Sequence, residues 1–330
     1  MPKNDKRMEQ ISVISNKLNQ SIESLNLEGK PNGLYEPIRY ILSLGGKRLR
    51  PLLTLIAAEM FDDTPYNAMP QALAIEVFHN FTLLHDDIMD EAPLRRNKET
   101  VHLKWNVNTG ILSGDAMLIR AYQLLSETPA NYLAEILRLF NETALGVCEG
   151  QQYDMDFEQR SDVTIPEYLE MIRLKTAVLL ACAMKTGSII GGASSSDTNK
   201  MYEIGEALGV AFQLQDDILD AFGTGKVGKR KGGDIISNKK TFLLLSAQQL
   251  ATGTNKIELD KWITATEFDE EEKVTAVLDI FESLDIKELS RKEMMKFSDK
   301  AFRLLAELGI EEEKKSSLKS ILNQLLVREF

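Results

Sequence analysis

The stretch Ala72-Leu73-Ala74-Ile75-Glu76-Val77-Phe78-His79-Asn80-Phe81-Thr82-Leu83-Leu84-His85-Asp86-Asp87-Ile88-Met89-Asp90 decides the fold class. Its apolar residues Ala74, Val77, Phe78, Phe81, Leu84 and Ile88 recur in steps of three and four, the period of one helical face. At 3.6 residues per turn the segment predicts a helix of about five turns. His79, Thr82, Asp86 and Asp90 fall at i, i+3, i+7 and i+11, a polar stripe along an otherwise apolar cylinder. Unpaired carboxylates are costly to bury, so a stripe of this kind predicts a lined cavity.

The same period runs through Tyr132 to Phe157, Ile165 to Ile190, Met201 to Phe222 and much of the last seventy residues. All nine prolines lie at or before Pro166, which leaves 164 residues free of the residue most damaging to a helix interior. Strand alternation is hard to find. Glycines punctuate the pattern at Gly45-Gly46, Gly187 to Gly192 and Gly223 to Gly233, yet no composition shift marks a linker. The expectation is an all-α chain, one domain spanning 1–330. The charged run Asp269 to Lys273 predicts a solvated helix start.

Composition narrows the function. Of 330 residues, 39 are Lys or Arg and 50 are Asp or Glu, a net charge of −11. With a pI near 5.0 this argues against nucleic-acid binding, which draws on accumulated cations. No apolar run approaches the ~20 residues of a membrane helix, and Met1-Pro2-Lys3-Asn4-Asp5-Lys6 lacks the apolar core of a signal peptide, so a cytoplasmic protein is expected. Cys148 and Cys182 sit in no paired metal spacing and are expected to be core thiols.

The motif Asp86-Asp87-Ile88-Met89-Asp90 returns 130 residues later as Asp216-Asp217-Ile218-Leu219-Asp220. On a helix the first and third aspartates of each set lie one turn apart on one face. One such set alone is compatible with a solvated acidic surface; two copies, each ending an apolar segment, are not a chance pattern. Hard oxygen ligands without His or Cys suit magnesium, which is held by a few carboxylates together with substrate phosphates. Cations cluster beside both motifs: Lys47, Arg48 and Arg50 after Gly45-Gly46, Arg95-Arg96 after the first, and Lys226, Lys229, Arg230, Lys231, Lys239 and Lys240 after the second. The combination suits a multiply charged phosphate ligand.

These residues resemble the trans-isoprenyl diphosphate synthases, or polyprenyl synthetases. The resemblance is carried by Gly45-Gly46-Lys47-Arg48-Leu49-Arg50-Pro51, His79, the two aspartate motifs, Arg95-Arg96, Gly114-Asp115, Gly150-Gln151 with Asp154, Lys175-Thr176, Phe212-Gln213, Gly228 to Asp234, and Lys239 with Thr241. It spans about 200 residues of the chain. It implies an all-α bundle around a deep central cavity, usually a homodimer. It further implies condensation of isopentenyl diphosphate with an allylic diphosphate to a short-chain trans-prenyl diphosphate, with release of diphosphate.

Carried over by residue, the resemblance makes Asp86, Asp90 and Asp216 the main ligands of three magnesium ions, with Asp87, Asp217 and Asp220 completing or supporting that shell. Arg95, Lys175, Lys239 and Lys229 correspond to contacts of the allylic diphosphate, and Lys47, Arg50, His79 and Arg96 to the isopentenyl diphosphate site. Thr176 and Gln213 match positions whose oxygens face the developing carbocation, so Lys175, Thr176 and Gln213 are the expected catalytic residues. Asn97 stands where the family usually has Gly, and it too tolerates left-handed backbone. Phe242-Leu243 follow Thr241, where a proline is common.

Phe81 lies five residues before Asp86, roughly 7.5 Å down the helix. With Phe78 below it and the small Thr82 beside it, it resembles the floor of a short-chain synthase, pointing to geranylgeranyl diphosphate ahead of farnesyl or longer products. Three other readings compete. A metal phosphohydrolase built on His85-Asp86 would leave the second motif without a role. A terpene cyclase would normally lack the Gly-Gly-Lys-Arg run. A silent partner subunit would be expected to carry degraded aspartate motifs.

Overall fold

A computed structural model of the chain describes residues 3–223 and 232–326. The expected helices form, and the deciding stretch folds as Met69–Met89, beginning one turn earlier than the apolar pattern because Pro70 stands in its first turn, where its missing N–H is not needed. Other starts are fixed by side chains. Thr164 and Glu167 form a reciprocal capping box ahead of Ile165–Ile172, and Thr241 accepts from the Leu244 amide at the head of Phe242–Leu250. Asp269 accepts from the amides of Glu271 and Glu272 to open Glu270–Ser283.

The chain divides into two compact units. One holds Met1–Asn141, Cys182–Tyr202 and Leu308–Lys319; the other holds Glu142–Ala181, Glu203–Glu307 and Ser320–Phe330. In the first, Met69–Met89 packs chiefly against Val107–Leu125 and against Leu49–Glu59. Its residues Ala72, Ala74, Ile75, Val77, Phe78 and Leu84 are buried, while His79, Thr82 and Asp86 of the polar stripe are half-buried and Asp90 is exposed.

In the second unit two apolar clusters meet on one element. Phe242 and Leu245 join Phe157, Tyr168, Ile172 and Leu214, whereas Leu243, Leu244 and Ala247 join Ile218, Leu259, Val277 and Phe281. Phe242–Leu250 is therefore apolar all round its first turns because it is covered on both sides. Each such side chain contributes about 1.5–3 kcal/mol by burial, which fixes the preceding segment that carries Lys239.

Two expectations need correction. Lys273, at the end of the charged run, is not solvated: it is 1% exposed, donates to the Ile236 carbonyl at 3.1 Å and lies 4.0 Å from the Phe268 ring centroid. A cation can be buried here because a carbonyl and an aromatic face replace its water. Cys148 is exposed, and only Cys182 is a core thiol. A two-residue hairpin, Leu94–Arg95 against Lys98–Glu99, interrupts the helices. Its turn residues Arg96 and Asn97 have φ of 53° and 60°, the paired left-handed geometry of a tight hairpin, so Asn97 does supply the backbone that glycine usually would. No helix among the described residues is long and apolar enough to cross a membrane.

Candidate active site

Each unit carries one aspartate motif, and the two are built alike. Successive residues step about 100° round a helix, so aspartates at i and i+4 share a face while the one at i+1 points elsewhere. Asp86 is half-buried and Asp90 exposed at the end of Met69–Met89; Asp216 and Asp220 are half-buried at the end of Ser195–Phe222. The middle residues Asp87 and Asp217 are buried and engaged. Arg95 reaches Asp87 with Nε at 2.9 Å and 3.2 Å and adds Nη2 as a second donor. Burial pushes the Asp87 carboxyl up and Arg95 pulls it back.

Asp217 accepts from the Tyr168 hydroxyl on one oxygen and from Gln213 Nε2 at 3.0 Å on the other. Burial, with Asp234 adding to it, pushes this carboxyl up to about 7. Of the two roles expected for these middle aspartates, the geometry favours supporting the outer pair. Among the described residues no three His, Cys, Asp or Glu side chains gather as a ready metal cage. Such a donor set fits magnesium that arrives with phosphate oxygens, since that ion keeps water and takes only one or two carboxylates from protein.

The basic turn of the first unit lies beside the helix that carries its motif. Gly45 and Gly46 have φ of 77° and 126°, Arg48 is left-handed at 47°, and Leu49–Glu59 starts immediately after. Arg50 Nη1 lies 3.0 Å from His79 Nε2. Burial holds His79 well below its usual pKa, with Arg50, Arg96, Arg95 and Arg48 acting the same way. The ring is therefore neutral and accepts from Arg50. Burial lowers Arg50 itself to about 10, opposed by Glu76. Lys47 and Arg96 are exposed.

Aromatic rings line the first unit in a train. Phe81 meets His85 edge-on at 4.7 Å and lies tilted 5.5 Å from Phe78, which meets Phe140 at 5.0 Å, which meets Tyr122 at 5.3 Å. Phe78 and Phe140 are buried whereas Phe81 is half-buried, so Phe81 presents a ring backed by two buried ones. Thr82 Oγ1 donates to the His79 carbonyl at 2.8 Å.

In the second unit Lys175 and Thr176 sit on a π-helical turn, Arg173–Ala177, between Ile165–Ile172 and Val178–Ile190. Such widened turns recur at functional sites. Gly150 and Gly209 approach it from two helices: a Cβ on Gly150 would stand 2.3 Å from the Lys175 amide nitrogen, and one on Gly209 2.4 Å from Ala177 Cα. Thr176 Oγ1 donates to Gln213 Oε1 at 3.2 Å, and the Gln213 amide is oriented by its other end on Asp217. Lys175 Nζ donates to Asp154 Oδ2 at 2.6 Å, with Lys239 Nζ 3.8 Å from the same oxygen. Burial pushes Asp154 up, but Lys239 and Lys175 outweigh it and hold the carboxyl below its usual range. Asp220 accepts from the Asp234 amide at 3.0 Å, which ties the segment leading to Lys239 back to the motif. Lys229 lies outside the described residues, as do Lys226, Arg230 and Lys231.

Sequence reasoning missed Glu76, Asn80 and Tyr168, and gave Asp154 no role. Glu76 had a signal: a carboxylate inside the apolar run Ala72 to Phe78 calls for a buried cation. Tyr168 had none.

The sequence signature of the polyprenyl synthetase family matches residues 31–281. A geranylgeranyl pyrophosphate synthase of Geoglobus acetivorans is 41% identical over 232 residues, covering 70% of this chain and 73% of that protein. A geranylfarnesyl diphosphate synthase of Natronomonas pharaonis is also 41% identical, over 238 residues that cover 66% of this chain and 70% of its own length. A crystal structure of a geranylgeranyl pyrophosphate synthase superposes with a TM-score of 0.92 at 46% identity, over 97% of this chain and 99% of the other.

Proposed function

This chain belongs to the polyprenyl synthetase family, and we propose that it condenses isopentenyl diphosphate with an allylic diphosphate to give geranylgeranyl diphosphate, releasing diphosphate. The observation that carries this reading is the pair of aspartate motifs, each presenting two aspartates one turn apart, with Arg95 acting on Asp87 in one and Lys239 on Asp217 in the other. The whole chain, 1–330, is read as one synthase domain of a cytoplasmic homodimer. The dimer reading is supported by Val107, Ile111, Leu112 and Ile119, large apolar residues left exposed on the helix Val107–Leu125.

Asp86, Asp90 and Asp216 are taken as the principal carboxylates for three magnesium ions, with Asp87, Asp217 and Asp220 completing or supporting that shell. When bound, the magnesium would supply the positive charge that draws off the departing diphosphate. Lys175, Lys239 and Arg95, with Lys229, hold the allylic diphosphate, and their cations favour the charge that grows on the leaving oxygen. As the allylic carbon–oxygen bond breaks, Thr176 and Gln213 present fixed oxygens to the carbocation. Lys47, Arg50, His79 and Arg96 hold isopentenyl diphosphate so that its double bond attacks. The released diphosphate takes the proton that is lost, so no catalytic histidine is needed. Apolar walls keep water from quenching the cation.

The test is magnesium-dependent release of diphosphate from an allylic substrate. Release only when isopentenyl diphosphate is present is the expected result. Release without it would mean a phosphohydrolase or a cyclase, and no release from either mixture would mean a silent partner subunit.

Product length is read from Phe81, the half-buried ring backed by Phe78, beside Thr82. Replacing Phe81 by Ala removes the floor, and mass spectrometry of products from farnesyl and isopentenyl diphosphates is expected to show chains beyond twenty carbons. An unchanged distribution would assign the ring to packing alone. A geranylgeranyl and a geranylfarnesyl synthase are each 41% identical to this chain, so overall identity does not separate the two product lengths.

A further inference from the structure

Glu76 is a carboxylate among the cations of the basic turn. It lies three residues before His79, is 2% exposed, and its charge reaches both Arg50 and Arg96. A free carboxylate in that place would compete with an incoming diphosphate, because both are recognised by the same charge-assisted donors. The contacts of Glu76 show what prevents this. Arg48, only 9% exposed, donates Nη1 to Glu76 Oε1 and Nη2 to the Leu42 carbonyl. Asn80 Nδ2 donates to the same Oε1 and to the Glu76 carbonyl, each at 2.8 Å.

The backbone is arranged for this contact. Arg48 takes a left-handed φ of 47°, a conformation that side chains with a Cβ adopt at a cost and keep only when their surroundings hold them. Its neighbour Lys47 is exposed, so two consecutive cations serve opposite sides of one turn. Gly46 brings the backbone up to Arg96: a Cβ there would stand 2.6 Å from the guanidinium carbon. Arg50 keeps a buried Nε without a partner, which leaves it donor capacity beyond His79.

We propose that Arg48 is a positioning residue that sequesters Glu76 and so keeps Arg50 and Arg96 open to isopentenyl diphosphate. This rests on the reading that Lys47, Arg50, His79 and Arg96 hold that substrate. Arg48 touches no substrate itself. Its work is to hold the carboxylate that would otherwise turn to the groups that do.

Steady-state KM and kcat for each substrate, measured on the full-length enzyme with Arg48→Met, Arg48→Lys, Glu76→Gln and the double variant Arg48→Met/Glu76→Gln, test it. Arg48→Met is expected to raise the KM for isopentenyl diphosphate about tenfold or more, with kcat changed less than about threefold and the allylic KM unmoved. Removing the released carboxylate should undo this, so the double variant returns to within about threefold of wild type, a coupling that additivity would not give. A double variant as poor as Arg48→Met would make Arg48 a structural support and overturn the proposal. If Arg48→Met does not fold, Glu76→Gln and Arg48→Lys decide: both are expected to keep the KM for isopentenyl diphosphate within about threefold, and a tenfold rise in Glu76→Gln alone overturns the proposal. A rescued effect on the allylic KM instead would keep the sequestration and overturn the substrate assigned to the site.

Discussion

Replacing Asp86 or Asp216 by Ala is expected to lower kcat about a hundredfold or more while leaving the fold intact, by analogy with removal of one electrostatic stabiliser of developing charge. The two halves of that expectation come from one feature. Both motifs close long helices, Met69–Met89 and Ser195–Phe222, and their carboxylates fall in or next to the last turn. That end of a helix carries partial negative charge, so several aspartates there work against the macrodipole. Carboxylates set against the dipole are the pattern expected where function outweighs stability. A half-buried carboxylate lost from such a place should leave the thermal midpoint of the metal-free protein unchanged or slightly raised. The checks are a melting curve without magnesium and steady-state rates with it. A rate near wild type would remove these residues from the metal site, and a collapsed melting curve would mean that they act in folding.

Asp87 and Asp217 should behave in the opposite way, because they share the motif but not the face. That distinction was legible in part. A helical period applied to Asp-Asp-x-x-Asp already separates the middle carboxylate from the outer two. What it cannot show is the partner, since Arg95 comes from a hairpin eight residues on and Tyr168 from a helix 49 residues earlier in the chain. The same limit applies to Arg48 and Glu76, 28 residues apart. Local patterns, by contrast, read well. The apolar period places Met69–Met89 to within three residues at its start, and Asn97 is a residue type able to make the left-handed turn.

Errors arose where burial depends on distant chain. Lys273 looks solvated beside Asp269 to Glu272, and only the Ile236 carbonyl and the Phe268 ring explain why it is not. The π turn at Arg173–Ala177 is invisible for a similar reason. Its residues are ordinary helix formers, and what marks the site is the close approach of Gly150 and Gly209, 25 and 32 residues from Lys175 and Ala177.

Lys175→Ala is expected to lower kcat by about a hundredfold as well, and its structural cost can be separated from its catalytic one. Lys175 serves two anions in this reading: Asp154, at 2.6 Å, and the allylic diphosphate. Removing it leaves Asp154, whose side chain is 15% exposed, with Lys239 at 3.8 Å. An under-paired carboxylate in that position should cost about 2 kcal/mol of stability, because one cation and some water remain. The sign of its pH dependence follows from the depressed carboxyl of Asp154. Stability from a lowered carboxyl pKa is present above the ordinary value and is lost as the pH falls through the depressed one, so the deficit of Lys175→Ala should shrink in acid.

The double variant Lys175→Ala/Asp154→Asn separates the two roles. Neutralising Asp154 removes the reason for the structural loss, so the denaturation midpoint should recover towards wild type. The kcat should stay low, because no ammonium meets the departing diphosphate. If kcat recovers with the midpoint, Lys175 acts only through Asp154 and the allylic diphosphate must be held by Lys239 and Arg95 without it.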